Sequence, residues 1–507
     1  MKLRIRGEPP AATWLVALLA LAVVVRRPGY LLRHSFWLDE GWVVDSVRAP
    51  LRQLGLLASS TPVGWTLLLR VVPPLGGPQR YRLLPLAFAV ATVALAWMLA
   101  RGLGRHGVLR AAVAAACLAL LPASLARHDL KQYTAEGFVA VALLLLVTRV
   151  EQHWSRRRLA LLALLAGASI LIANAAPLLA LAGLGALVLT AAARHHWRRA
   201  GEAAAAIAGV GAVHLLVYLT VADAGDNPAM RRWWRGDYLR LDGGFGETAR
   251  FAAGRAAAML ASLGLGPWWL AVPLVAAGVW ALTRAGRPAT ALLPPLLAVE
   301  LVAAALARRF PFLDARTSLF VAVTLAVFAA LGIGELLVLL LARSWTAPLA
   351  VGAAVCAAAL LLPAARQAAL EPMPSAGVRE QLAVVRADWL PGDAVIVNSA
   401  GTFPFAYYWP QRPTFVRTTR PTAVNFMVTY PDHPNLVMVD GRTGVVPALE
   451  RARANGRRIW LVFAHGSPST VHGWTEAASR YGSVAHPGPR ALPLLVRPAA
   501  GRPRTAG

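Results

Sequence analysis

Apolar runs of close to 20 residues recur from residue 11 to about residue 364. A helix of about 20 residues spans roughly 30 Å of hydrocarbon, so the pattern predicts a polytopic helical membrane domain. About eleven spans are expected, near 11–28, 82–103, 108–126, 134–150, 157–174, 176–193, 203–222, 267–283, 288–307, 317–342 and 347–364. Composition agrees, because 57% of the 507 residues are hydrophobic and only 15% are charged. That balance is too apolar for an ordinary water-soluble chain. The stretch "ATWLVALLALAVVV" is followed by two arginines and not by a small-residue cleavage site, so it is expected to be retained as the first span.

Residues 367–507 read differently, as short buried strands alternating with helices. "REQLAVVRADWL" and "VPALERARANG" have helical spacing, whereas "DAVIVNS", "NLVMVDG" and "RRIWLVFAHG" are strand-like. The expected organisation is a transmembrane domain over 1–366 and an α/β domain over 367–507. The latter contains no nucleotide-binding glycine pattern, metal cluster or nucleophile elbow. Its aromatic, proline-rich "SAGTFPFAYYWPQRP" could pack over the membrane domain or bind glycan.

The formal net charge of +27 would suit nucleic acid in a soluble protein. Here the arginines cluster in short loops between spans, so no nucleic-acid partner is expected. Membrane phospholipid and an anionic lipid-linked substrate fit better. With the N-terminus cytoplasmic, "RGLGRHGVLR", "RVEQHWSRRR", "ARHHWRRAGE" and "TRAGRP" fall on the cytoplasmic side, and an odd number of spans leaves the C-terminal domain outside. Arg231, Arg232 and Arg235, beside Trp233 and Trp234, then lie on the outer side, where an interfacial helix would suit them. Cys117 and Cys356 sit in apolar segments and imply no disulfide framework.

Three outer segments concentrate the groups that could do chemistry. "FWLDEGWVVDSVRAP" places Asp39 and Glu40 side by side between Trp37 and Trp42, in a chain with only 24 acids. Partial burial against aromatic rings would make a carboxylate a usable base, while Asp at a helix start is also an ordinary cap. "ARHDLKQYTAEGF" crowds Arg127, His128, Asp129, Lys131, Gln132, Tyr133 and Glu136 into one loop. A helix beginning near Asp129 would place Asp129, Tyr133 and Glu136 on neighbouring turns, with Lys131 pointing elsewhere. Apart from Lys2, Lys131 is the chain's only lysine among 51 basic residues. A compact, rotatable ammonium suits a lipid phosphate whose angle of approach varies, although polar loops between spans are common. "RRFPFLDARTSLF" adds Asp314 and Arg316, the latter suited to phosphate binding or to interfacial anchoring.

"WLDEGW", then "TPVGWTLLLRVV", "QRYRLLPLAFAVATVALAWMLARGLG" and "LKQYTAEGFVAVALLLL", in that order, resemble the GT-C glycosyltransferases of the protein mannosyltransferase and aminoarabinose transferase type. The likeness covers residues 11 to about 150 and, more loosely, "RRFPFLDARTSLFVAVTLAVF". It implies a bacterial inner-membrane enzyme moving a hexose or pentose, in mannosyltransferase or arabinosyltransferase fashion. The donor would be an undecaprenyl- or decaprenyl-phosphate sugar, and the acceptor an extracytoplasmic glycan, lipid or protein. Asp39 would be the catalytic carboxylate and Glu40 an acceptor contact. Lys131, with Arg127 and Arg316, would hold the lipid phosphate near Asp129 and Tyr133. No cofactor is required by this reading, although a divalent metal such as Mg or Mn could bridge Asp39 and Asp129. The family's usual proline pair is reduced here to Pro62 in "TPVGW". The alternatives are a transporter or lipid flippase and a non-catalytic assembly protein; no internal repeat of the transporter kind is evident.

Overall fold

The structure is a computed structural model that describes residues 11–57, 61–74, 77–104, 106–125, 129–222, 228–342, 361–373, 375–417, 426–439, 441–454, 457–464, 468–486 and 492–498. The chain forms two compact units. The first comprises residues 1–31, 61–72 and 81–371, and the second comprises 32–60, 73–80 and 372–507.

The first unit is a helical bundle. Seven of its described helices are long and apolar enough to cross a membrane: Ala11–Leu31, Gln79–Arg101, Tyr133–Gln152, Ala176–Ala193, Trp197–Thr220, Pro288–Leu306 and Leu319–Leu340. Shorter apolar helices at Gly107–Ala119 and Trp268–Arg284, and the Arg156–Ser169 helix, match further expected spans. The span expected at 347–364 falls largely outside the described residues. This is a multi-pass membrane protein. Helices satisfy their own peptide groups, which hydrocarbon cannot solvate.

Tyr133–Gln152 lies at the centre, packed against the helices at 83–101, 176–193, 288–306 and 319–342. The helices at 268–284 and 319–342 approach most closely where glycine faces glycine. A Cβ on Gly278 would lie 1.9 Å from the Phe328 carbonyl oxygen, and one on Gly332 would lie 2.1 Å from that of Leu274. Small residues let helix backbones approach in a membrane, where dispersion contacts replace the hydrophobic effect.

Part of the loop after the first span returns to this unit. Val63–Arg70 is helical, and a Cβ on Gly64 would meet the Leu171 carbonyl oxygen at 2.6 Å. Fully buried Trp65 donates its indole N–H to the Leu130 carbonyl at 2.7 Å. The glycine in "TPVGW" thus permits the close approach to Leu171, and Trp65 beside it ties this helix to the residue preceding Lys131.

The second unit is three-layered. Strands β1 (Ala394–Asn398), β4 (Leu436–Val439), β5 (Ile459–Val462), β6 (Gly482–Ala485) and β7 (Leu494–Pro498) form a sheet in the order β4-β1-β5-β7-β6. The β4-β1-β5 part is parallel and β7 runs antiparallel to β5 and β6. β2 (Thr414–Arg417) and β3 (Phe426–Thr429) make a separate antiparallel pair. Alternate residues of β1 enter different cores: Ile396 packs with Val445, Leu449 and Trp474, and Val395 and Val397 with Phe405, Trp460 and Trp42. A strand buried on both faces reads as the unbroken apolar run seen in the sequence.

Gly278→Ala is expected to destabilise the bundle by about 1–3 kcal/mol through overpacking. Its melting temperature in detergent should fall. Gly185→Ala, where an added Cβ meets nothing within 4 Å, should not lower it, since Ala is the better helix former.

Candidate functional site

The two acids that follow the first span lie in the second unit, at the start of the helix Leu38–Arg48. Trp37 is the residue before the helix. The Glu40 carboxylate accepts a hydrogen bond from the Trp37 backbone N–H at 3.3 Å and is fully buried. Glu40 therefore occupies the position from which an acid closes the first helical turn. Asp39 is half-buried in the same turn, where the unpaired N–H groups and the helix dipole favour a negative charge. The capping task that the sequence offered to Asp39 belongs to its neighbour.

The same helix carries a carboxylate that sequence reasoning did not single out. Asp45 is 2% exposed, and its Oδ2 has no hydrogen-bond partner. Burial pushes its carboxyl well above the usual carboxylate range, against the opposing pull of Arg48. Tyr430 is also buried, with its hydroxyl unpartnered, and burial together with the Asp45 charge raises the phenol. The signal in the sequence was the spacing: Asp45 lies four residues beyond Gly41, on the same helix face.

The cationic loop lies in the first unit. Its helix begins at Tyr133 and not near Asp129, so Asp129 and Lys131 stand in a turn before it. Asp129, Lys131, Gln132, Tyr133 and Glu136 are all buried, with Lys131 only 5% exposed. Solvation of an ordinary loop does not describe such a cluster. Glu136 Oε1 accepts from Gln132 Nε2 at 3.2 Å and from the Asn174 backbone N–H at 3.1 Å. Its Oε2, the Gln132 Oε1 and the Thr134 hydroxyl have no hydrogen-bond partner. Arg127 lies outside the described residues.

Asp314 has a structural task. Its Oδ2 accepts from the Arg316 and Thr317 backbone N–H groups at 3.0 and 2.9 Å and from the Thr317 hydroxyl at 3.2 Å, just before the Leu319–Ala342 helix. Arg316 is half-buried beside this turn. The segment is tied to the double-tryptophan loop, because the Asp237 carbonyl accepts from Phe312 N–H at 2.7 Å and the Asp237 carboxylate pairs with Arg255. The Pro228–Trp233 helix in that loop leaves Trp233 68% exposed.

The acids Asp39 and Glu40 are thus gathered in one unit, and Asp129, Lys131, Tyr133 and Arg316 are carried by the other. Among the described residues, no group of three or more His, Cys, Asp or Glu side chains is placed to hold a metal ion.

No family model matches the chain, and no curated protein matches it in sequence. In structure it is similar to ArnT from Cupriavidus metallidurans in the apo state, with a TM-score of 0.59 at 15% identity over 96% of this chain and 98% of that one. ArnT bound to undecaprenyl phosphate gives 0.59 at 16% identity, over 97% and 99% of the two chains. The oligosaccharyltransferase of Archaeoglobus fulgidus, in complex with Zn and sulfate, gives 0.54 at 13% identity, over 96% of this chain and 73% of that one. The likeness shows that the chain has the GT-C fold, a polytopic helical bundle with a C-terminal α/β region.

The raised Asp45 carboxyl gives a pH prediction. Its folded-state value lies above its unfolded value of about 3.9, so its contribution to stability is full below that pH and is lost as pH rises toward the folded value. Asp45→Asn is expected to remove this slope and to stabilise the second unit at pH 7. Hydrogen exchange of segment 38–48 between pH 5 and 8 measures it.

Proposed function

We propose that the protein is a glycosyltransferase of the bacterial inner membrane that moves a hexose or pentose from a polyprenyl-phosphate donor to an extracytoplasmic glycan, lipid or protein. The observation that carries this reading is the match in fold, over nearly the full length of both chains, to an enzyme crystallised with undecaprenyl phosphate. That match favours a transferase over a transporter or lipid flippase. The C-terminal α/β domain, residues 367–507, is assigned to the outer side by the count of spans and the arginine-rich opposite loops.

In this reading Asp39 is the catalytic base. The acceptor hydroxyl oxygen attacks the anomeric carbon and gives its proton to the Asp39 carboxylate. The bond from the anomeric carbon to the phosphate oxygen breaks, and its electron pair leaves with the polyprenyl phosphate. Attack from the face opposite the leaving group inverts the anomeric centre. Phosphate leaves without protonation, so no general acid is required. Lys131 holds the departing phosphate, with Arg127 and Arg316 as further cations, and fixed positive charge there stabilises the charge that develops as the bond breaks. Asp129 and Tyr133 are further substrate contacts, and Glu40 fixes the turn that presents Asp39 to the acceptor.

Two substitutions test the assignments separately. Asp39→Asn should lower transfer by about 10²–10⁴-fold, the usual worth of a positioned base, and leave lipid binding intact. Lys131→Ala should weaken undecaprenyl phosphate binding by about 10–100-fold, the worth of a charge-assisted hydrogen bond. Lipid mass spectrometry on the detergent-purified protein reads the second. Equal polyprenyl phosphate in wild type and Lys131→Ala would remove the lysine from the phosphate site.

A further inference from the structure

The C-terminal α/β unit has no assigned task, and its sheet shows where one resides. In open parallel sheets ligands bind beyond the carboxyl ends of the strands, at the point where the strand order reverses. Here that point lies between β1 and β5, because the chain leaves β1 toward β4 on one side and later returns to β5 on the other. Its own side chains fill the crevice. Asn398, the last residue of β1, donates to the Ala464 carbonyl at 2.8 Å and accepts from the Ala464 and Gly401 backbone N–H groups at 2.9 and 3.0 Å. Gln381 donates to the Phe463 carbonyl and accepts from the Phe463 N–H at 3.0 Å.

Immediately after β1 comes the helix Thr402–Tyr408, which packs on the Leu38–Arg48 helix of the same unit. Contact is at backbone distance. A Cβ on Gly41 would lie 2.5 Å from the Pro404 nitrogen and 2.8 Å from the Phe403 carbonyl carbon. Both are main-chain atoms, held by a helix, that cannot turn aside as a flexible side chain would. The neighbouring Trp42 stacks on Phe403 with centroids 5.8 Å apart, meets Phe426 edge-on at 5.9 Å and donates its indole N–H to the Leu57 carbonyl at 2.8 Å. Arg48, at the far end, lies over the Tyr407 ring and donates to the Tyr407 carbonyl at 2.9 Å. The helix is thus fixed at its start, middle and end, and Asp39 is two residues from the closest contact.

We propose that Gly41 and Trp42 are positioning residues and that the C-terminal α/β unit serves to hold the helix bearing Asp39 in its catalytic orientation. This rests on the reading of Asp39 as the base. The crevice where such a sheet commonly takes a ligand is filled by Asn398 and Gln381, and the helix that follows β1 takes a segment which the sequence delivers from more than 350 residues upstream.

The test compares full-length wild type, Gly41→Ala and Trp42→Phe in detergent. It follows hydrogen exchange, undecaprenyl phosphate binding and the release of polyprenyl phosphate from polyprenyl-phosphate sugars in a total extract of the producing membranes, which supplies donor and acceptor together. In Gly41→Ala, exchange is expected to quicken together in 38–48 and 402–408. Release should fall at least about tenfold at saturating donor, as displacement of a catalytic group by about 1 Å costs far more than its packing energy suggests. Undecaprenyl phosphate affinity should stay within about twofold. Trp42→Phe, which keeps a ring between Phe403 and Phe426, should fall between wild type and Gly41→Ala, and it decides the matter should Gly41→Ala unfold throughout. Wild-type release in a variant with quickened exchange, or unchanged exchange at 402–408, overturns the proposal. If wild type itself releases no polyprenyl phosphate, the transferase reading fails, while coupled exchange still reports whether the two helices are locked.

Discussion

Hydrocarbon solvates neither a charge nor an unpaired peptide group, and this constraint sorts the whole chain. It makes the bundle helical, and it makes each buried polar group need a partner within the protein. The Arg110–Glu335 ion pair, buried to 11% and 13% exposure, meets the demand with two charges. Glu151 meets it differently, its carboxylate accepting from the Ala289 and Thr290 backbone N–H groups at the start of the Pro288–Leu306 helix. That places an acid where the orphan donors and the dipole of a helix both favour it.

Against this background the cluster at 129–136 is unusual. Its carboxylate, amide and hydroxyl oxygens are buried, and three of them, Gln132 Oε1, Thr134 Oγ1 and Glu136 Oε2, lack a hydrogen-bond partner within five residues of chain; Glu300 Oε2 and Ser318 Oγ lack one elsewhere in the bundle. Unmatched acceptors are costly to stability and are retained where donors arrive from outside, as water or as hydroxyls of a bound molecule. Sugar hydroxyls are donors of that kind.

Much of this architecture was legible in the sequence, because apolar run length and strand-like patterning depend on local composition. The spans, the parallel strands at "DAVIVNS", "NLVMVDG" and "RRIWLVFAHG", and the polar loops all declared themselves that way. Long-range placement did not. Nothing local in "LDEGW" says that Gly41 faces Pro404, and nothing in "SAGTFPFAYYWPQRP" says that its Phe403 ring stacks on Trp42. The helix start near Asp129 was misplaced for a related reason. Asp favours a cap when only sequence is weighed, but Trp65 holds the Leu130 carbonyl in a hydrogen bond and the helix begins after it, at Tyr133.

The difference between arginine and lysine can be followed in the same terms. Two buried arginines act as staples on backbone carbonyls. Arg26 donates to the Ala22 carbonyl at 2.8 Å and to the Ser124 hydroxyl at 2.9 Å, and Arg82 donates to the Leu31 carbonyl at 2.6 Å. A planar guanidinium with fixed donor directions suits acceptors that do not move. In the proposed function the lipid phosphate does move, because it would enter from the bilayer, lose its sugar and leave again. An ammonium at the end of a flexible stem can follow an oxygen through that sequence without losing its charge contact, which a rigid fork can do only by reorienting the whole plane. In a chain that uses arginine for its fixed contacts, a lysine at position 131 is the choice expected where the partner changes shape.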